Sequence, residues 1–231
     1  MIVSIHQPNY MPWLGYFYKI ANSDIFVILD TVQYVKGTVA NRNKIKGING
    51  EEILLSVPVK LSEGAYQHYN EIAIDYSHKW VNKHLNQIKN SYLKAPNFKI
   101  IYPEFEIILK KKYENIAQLN IEIINWVIAK LEIKTKIFVT SGFEKDFGTS
   151  NAQNINICKH LNGNKYLSGH GAKKYNDPEL YNQNMIELIY SDYQSNPYQQ
   201  INGDFLPNLS ILDVLMNISI VEIKEMLNIN G

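Results

Sequence analysis

The chain opens on a short apolar run, Met1 to Ile5, that stops at the polar, proline-bearing stretch HQPNYMP. Two prolines and an Asn forbid continuation as strand or helix, so a strand feeding a fixed loop is expected. Trp13, Phe17 and Ile20 then recur at helical spacing and predict a helix over 13–21. The next segment, DIFVILD, is almost continuously apolar between Asp24 and Asp30. That is the pattern of a parallel strand buried on both faces, and strand, helix and strand together make a βαβ unit.

Residues 31–50 are polar and punctuated by glycine, which predicts a long loop or hairpin, and EEILLSVPV (51–59) reads as the next strand. After a loose stretch, three helices are expected, at about 76–93, 103–112 and 115–131. Trp80 and Trp126 fall at apolar helical positions and read as core, whereas His78 and His84 are expected to face solvent. Alternation then resumes: a strand at TKIFVTSG, a helix over 151–161, a strand at NKYLSG, a glycine-containing loop, a strand at MIELIYSDY and two helices over 209–217 and 219–228. The expected fold class is α/β: a Rossmann-like parallel sheet core, one domain over 1–231, with an inserted helical block at 76–131 and a helical C-terminus.

Composition narrows the functional classes. Net charge is +1, which lacks the basic footprint of a nucleic-acid binder. The one cysteine, Cys158, excludes an intramolecular disulfide and a multi-cysteine zinc site, and its neighbours Ile155, Ile157 and Leu161 mark it as core. The six histidines are scattered, and no metal site is expected. No apolar run reaches the roughly 18 residues of a membrane span, and no basic-then-apolar leader precedes the first strand, so a cytoplasmic location is expected.

Open parallel sheets bind ligands outside the carboxyl ends of their strands. Four loops should gather there: 6–12, 30–50, 140–150 and 168–175. In the first, His6 titrates near neutrality as a free side chain, and Gln7 and Asn9 crowd the same turn. The second carries Arg42, Lys44 and Lys46, suited to phosphate or carboxylate, or else a solvated hairpin tip. Asp30, at a strand end, could accept sugar hydroxyls or cap a turn. The third, SGHGAKKY, offers backbone N–H groups for an anion, with His170, Lys173 and Lys174 adding polarity and charge. The spacing is not that of a P-loop. Trp13-Leu14-Gly15-Tyr16 stands where HIGH-type nucleotidyltransferases carry H-x-G-H; Gly15 is retained, but both histidine positions are aromatic, which argues against that machinery.

IHQPNYMPWLGYFYKI, DIFVILDTVQY, NRNKIK, YLSGHGAKKY and PYQQINGDFLPNLSILDVLMN together resemble the WbqC-like family of bacterial surface-polysaccharide gene clusters. The resemblance marks His6, Gln7, Pro8, Tyr10, Trp13 and Gly15; Asp30, Gln33, Arg42, Asn43 and Lys44; and Ser168, Gly169, Gly171, Ala172 and Tyr175. It also marks Tyr198, Gln200, Phe205, Pro207, Ser210 and Asp213. Asn196 stands where members often carry His, and Ser219 where they often carry Gly. The resemblance implies a role in O-antigen or related glycan biosynthesis, placing an amino-acyl group, glycine in particular, on a nucleotide-linked amino sugar. His6, or His170, would be the base, Gly169–Ala172 the oxyanion donors, and Arg42 and Lys44 the pyrophosphate clamp. A carrier-protein thioester is one possible donor. Two alternatives stay open: ATP- and Mg²⁺-dependent nucleotidyl transfer or amino-acid adenylation, and non-catalytic binding of a sugar nucleotide or carrier.

Overall fold

The computed structural model describes residues 1–62 and 66–229. Strand β1 (Ile2–His6), helix α1 (Leu14–Ala21) and strand β2 (Ile25–Ile28) form the first βαβ unit. An antiparallel hairpin of β3 (Arg42–Lys46) and β4 (Glu52–Ser56) follows, so the basic stretch lies on a strand. Next come α2 (Trp80–Tyr92), α3 (Phe98–Lys110) and α4 (Ile116–Lys130). The chain then returns through β5 (Lys136–Val139), α5 (Ser150–His160), β6 (Lys165–Ser168), α6 (Pro178–Gln183) and β7 (Glu187–Tyr190), and ends in α7 (Ile211–Asn217) and α8 (Ile220–Met226).

The main sheet has the order β5-β2-β1-β6-β7, with every pairing parallel. This is a Rossmann-like arrangement. The chain leaves β1 toward β2 on one side and later returns to β6 on the other, so the strand order reverses between β1 and β6. Residues of β2 divide by parity: Phe26 and Ile28 join the core shared with α1, the helical block and α7, while Ile25 and Val27 join a second core with α5 and α6. In β1, Val3 and Ile5 belong to that second core. Ser4 faces α1, where Ser23 Oγ donates to its hydroxyl at 2.8 Å. A strand position this small lets α1 lie close to the sheet.

Three local expectations are corrected. Helix α3 begins at Phe98 rather than Pro103, because the apolar face of Phe98, Ile101, Phe105 and Ile108 outweighs the missing N–H of an internal proline. Helix α6 lies in a stretch read as loop; Asp177 caps it by accepting from the N–H of Glu179 and Leu180. His84 is buried, not exposed: its Nε2 pairs with the Ser56 carbonyl, which fixes the proton there, and Nδ1 accepts from Tyr10 hydroxyl at 3.0 Å. Burial holds its pKa down at about 4. The other core assignments hold for Trp80 and Cys158, both buried, while Trp126 is half-buried and donates Nε1–H to Glu104.

The C-terminal signature folds around one carboxylate. Asp213 is fully buried and accepts from Tyr92 hydroxyl (2.7 Å), Tyr198 hydroxyl (2.6 Å) and Gln200 Nε2 (2.9 Å). Burial raises its pKa, against the pull of these donors. Gln200 Oε1 in turn accepts from Leu206 N–H, and buried Lys46 Nζ donates to the carbonyls of Gly203 and Asp204. Tyr198 and Gln200 therefore clamp the 198–210 segment to the hairpin and α7. Replacing Asp213 by Ala would take the acceptor from the Tyr92 and Tyr198 hydroxyls, each costing about 1–3 kcal/mol, while Gln200 Nε2 keeps the Leu206 carbonyl. Asp213→Ala is expected to lower unfolding stability by about 3 kcal/mol or more, read as a fall in the urea midpoint at unchanged m-value.

Candidate functional site

A cavity of about 350 Å³ opens at the carboxyl ends of β1 and β6, where the strand order reverses. His6 from β1, Gly15, Tyr16 and Lys19 from α1, Ser168 from β6 and the turn of Gly169 to Ala172 form its wall, with Trp13, Ser191 and Tyr193 at the side. A larger cavity, about 700 Å³, lies at the amino edge of the sheet around Asp24, Glu132 and Lys136. Open α/β sheets bind at the carboxyl edge, so the smaller cavity is the candidate.

The loop carrying His6 is held by its carbonyls. Tyr16 hydroxyl donates to Gln7 O (3.1 Å), Asn120 Nδ2 to Pro8 O (2.8 Å), Asn43 Nδ2 to Met11 O (2.7 Å) and Ile211 N–H to Pro12 O (2.8 Å). These bonds keep Met11 in the left-handed region at φ +44°, a conformation that costs a non-glycine residue energy. Beyond the turn, the Trp13 indole lies over Gly15: a Cβ at residue 15 would come within 2.6 Å of the ring. Gly15 thus serves the indole, and the indole covers the backbone that a nucleotide would approach in a HIGH-type site.

His6 Nδ1 lies 3.0 Å from the Gln7 carbonyl, and a carbonyl only accepts, so Nδ1 carries the proton and Nε2 the lone pair. Loss of solvent, and then the nearby Lys19 charge, depress its pKa to about 3. The ring is therefore neutral at pH 7, and it meets Tyr16 edge to face at 4.9 Å. Lys19 is 5% exposed, and among the described residues its Nζ donates to one acceptor, the Ile5 carbonyl at 3.1 Å. Desolvation lowers its pKa to about 7. Among the described residues that line the cavity, none carries a carboxylate. In the turn, the Ala172 N–H is taken by the Gly169 carbonyl, so the N–H groups of His170 and Gly171 are the ones left for a ligand.

A second groove, about 450 Å³, is lined by His6, Asn9, Pro12, Trp13, Val39, Asn43 and Asn208. His6 and Trp13 are the residues common to both spaces. Asn9 is buried, and among the described residues its Oδ1 has no hydrogen-bond partner.

The structure thus brings together His6, Trp13, Gly15, Ser168, Gly169, His170 and Gly171, with Asn9 and Asn43 in the adjoining groove. Others lie elsewhere. Tyr10 is core; Gln7 Oε1 accepts from Tyr69 hydroxyl; Asp30 is buried and accepts from Thr140 hydroxyl and Ser141 N–H, tying β2 to the end of β5. Gln33 bridges to His68 in the loop, Arg42 lies against Gly37, and Lys44 pairs with Glu52 at 2.5 Å. Lys173 and Lys174 lie over the Tyr190 and Tyr175 rings.

The family model for the WbqC-like protein family matches residues 7–225. The chain belongs to the WbqC-like family. It is also 33% identical, over 218 residues, to an uncharacterized protein of Mycobacterium tuberculosis, Rv1507c, covering 94% of this chain and 93% of that one. No solved structure matches this WbqC-like chain. Among the described residues no helix is long and apolar enough to cross a membrane. Sequence reasoning passed over Tyr16, Lys19, Ser191 and Tyr193 in this WbqC-like site. A signal for Lys19 was present: it is the one charged residue in the otherwise apolar and aromatic run Trp13–Ala21.

The pKa of Lys19 falls from 10.5 in the unfolded chain to about 7 in the fold, so between these values the unfolded state binds the extra proton. The destabilisation is complete below pH 7 and disappears above 10.5. Lys19→Met is expected to raise the thermal midpoint at pH 6, with an advantage that shrinks steadily as pH rises from 7 toward 10.5. Melting curves across this range check it.

Proposed function

We propose that this WbqC-like protein is an acyl transferase that places an aminoacyl group, glycine in particular, on the amino group of a nucleotide-linked amino sugar for O-antigen or related surface glycans. One observation carries the reading: two separate spaces meet at a single neutral imidazole. Group transfer needs two substrates whose reacting atoms approach within about 3–3.5 Å, and a shared wall at His6 and Trp13 supplies such a junction. The sugar nucleotide occupies the cavity at the strand reversal. The acyl donor, a carrier-bound thioester or another activated glycyl group, enters along the groove of Asn9, Val39 and Asn43.

The amine nitrogen attacks the acyl carbonyl, its proton passes to His6 Nε2, and the donor's leaving group departs as the tetrahedral intermediate collapses. A ring with a pKa of about 3 is a weak base. Negative charge bound beside Lys19 would offset the smaller, electrostatic part of that depression, and the larger part, loss of solvent, stays. Arg42 and Lys44, turned away from the cavity, leave the pyrophosphate to other groups.

The strand order also suits adenylation or nucleotidyl transfer with ATP and Mg²⁺, and the cavity suits a binding module. Mg²⁺ takes protein carboxylates among its ligands, and the cavity wall has none, so the residues present do not fit that ion. Incubation of the purified protein with nucleotide-linked amino sugars and glycyl donors is expected to give an N-acylated sugar without pyrophosphate release. His6→Gln should cut turnover by about 10²–10⁴-fold while sugar-nucleotide affinity is kept. Pyrophosphate release dependent on ATP would favour adenylation, and tight ligand binding with no product from any donor would favour the binding module.

A further inference from the structure

Two lysines are buried among the described residues, and they are treated differently. Lys46 is fully buried, but its ammonium reaches three acceptors: the carbonyls of Gly203 and Asp204 and, at 3.3 Å, Gln200 Oε1. Lys19 reaches one, the Ile5 carbonyl, and its stem runs past Gly169 on the opposite wall, where a Cβ would sit 4.0 Å from Lys19 Cδ. A buried ammonium with unmet donors is costly, and an anion bound beside it would offset that cost. Its surroundings select the sign and kind of that ligand. The wall has no carboxylate, the first two N–H groups of the 170–172 turn are uncommitted, and the Trp13 and Tyr193 rings meet edge to face at 5.3 Å beside the opening.

We propose that Lys19 and the Gly169–Ala172 turn form the subsite for the phosphates of a nucleoside diphosphate, with the base lying along the Trp13 and Tyr193 rings. This rests on the cavity assigned above to the sugar nucleotide, and it moves the phosphate contact from the hairpin to α1. Phosphate is favoured over the carboxylate of an amino-acid donor by place and size. The site lies where the strand order reverses, the position at which open α/β sheets take nucleotides, and about 350 Å³ exceeds what a glycyl group fills.

The test is calorimetric titration of uridine diphosphate, inorganic pyrophosphate and N-acetylglycine into the wild-type protein, Lys19→Met and Lys44→Met. Loss of a charge-assisted hydrogen bond corresponds to about 10- to 100-fold in affinity. Lys19→Met, shown to be folded by its melting curve, is expected to lose that much affinity for uridine diphosphate and pyrophosphate, while Lys44→Met binds as the wild type does. Equal binding of uridine diphosphate by Lys19→Met and wild type overturns the inference. So does a Lys19-dependent affinity for N-acetylglycine without one for the diphosphates. Lys19-dependent diphosphate binding with no acyl transfer would retain the subsite and sink the transferase reading. Transfer with diphosphate affinity indifferent to Lys19 would do the reverse.

Discussion

The geometry of the site depends on how the first loop's carbonyl groups are satisfied. Pro8 and Pro12 cannot donate, and the loop between them cannot join helix or sheet, so its main-chain oxygens must be met from outside. Asn43 comes from the hairpin, Asn120 from the helical block, Tyr16 from α1 and Ile211 from the start of α7. Three distant parts of the chain, and the helix that follows the loop, thereby converge on six residues. The helical block and the C-terminal helices are, on this view, the brace that fixes where His6 points. Tyr10 adds a fifth tie, through His84 to β4.

The sheet was legible because its strands speak for themselves: DIFVILD has no polar interruption, and the alternation of strand and helix leaves few topologies. The carboxyl-edge argument also located the cavity, since it needs only the strand ends. What could not be read was the direction of individual side chains. Asp30 and Lys44 sit on the correct edge, yet one closes a turn with Thr140 and the other pairs with Glu52. Periodicity alone does not say which face of a two-stranded hairpin meets the protein. His84 was misjudged for a similar reason: its helix packs on β4, and the partner that makes burial tolerable, Tyr10, is 74 positions away.

Signature motifs of the family divide accordingly into two kinds of work. His6, Trp13 and Gly15 of the opening motif line the cavity together with the SGHG turn. The closing motif, with Tyr198, Gln200 and Asp213, is a buried polar knot that holds the 198–210 segment. The knot is buried inside the fold, whereas His6 and Trp13 border open space. The two buried lysines mirror this division, one completed by its own chain and the other left short of acceptors.

Trp13 is 37% exposed, and its ring rests on a residue with no side chain. The indole and the His6 ring together border both chambers, and Tyr193 packs against the indole edge to face. A methyl group at position 15 would push the indole off its seat and so reshape both chambers at once.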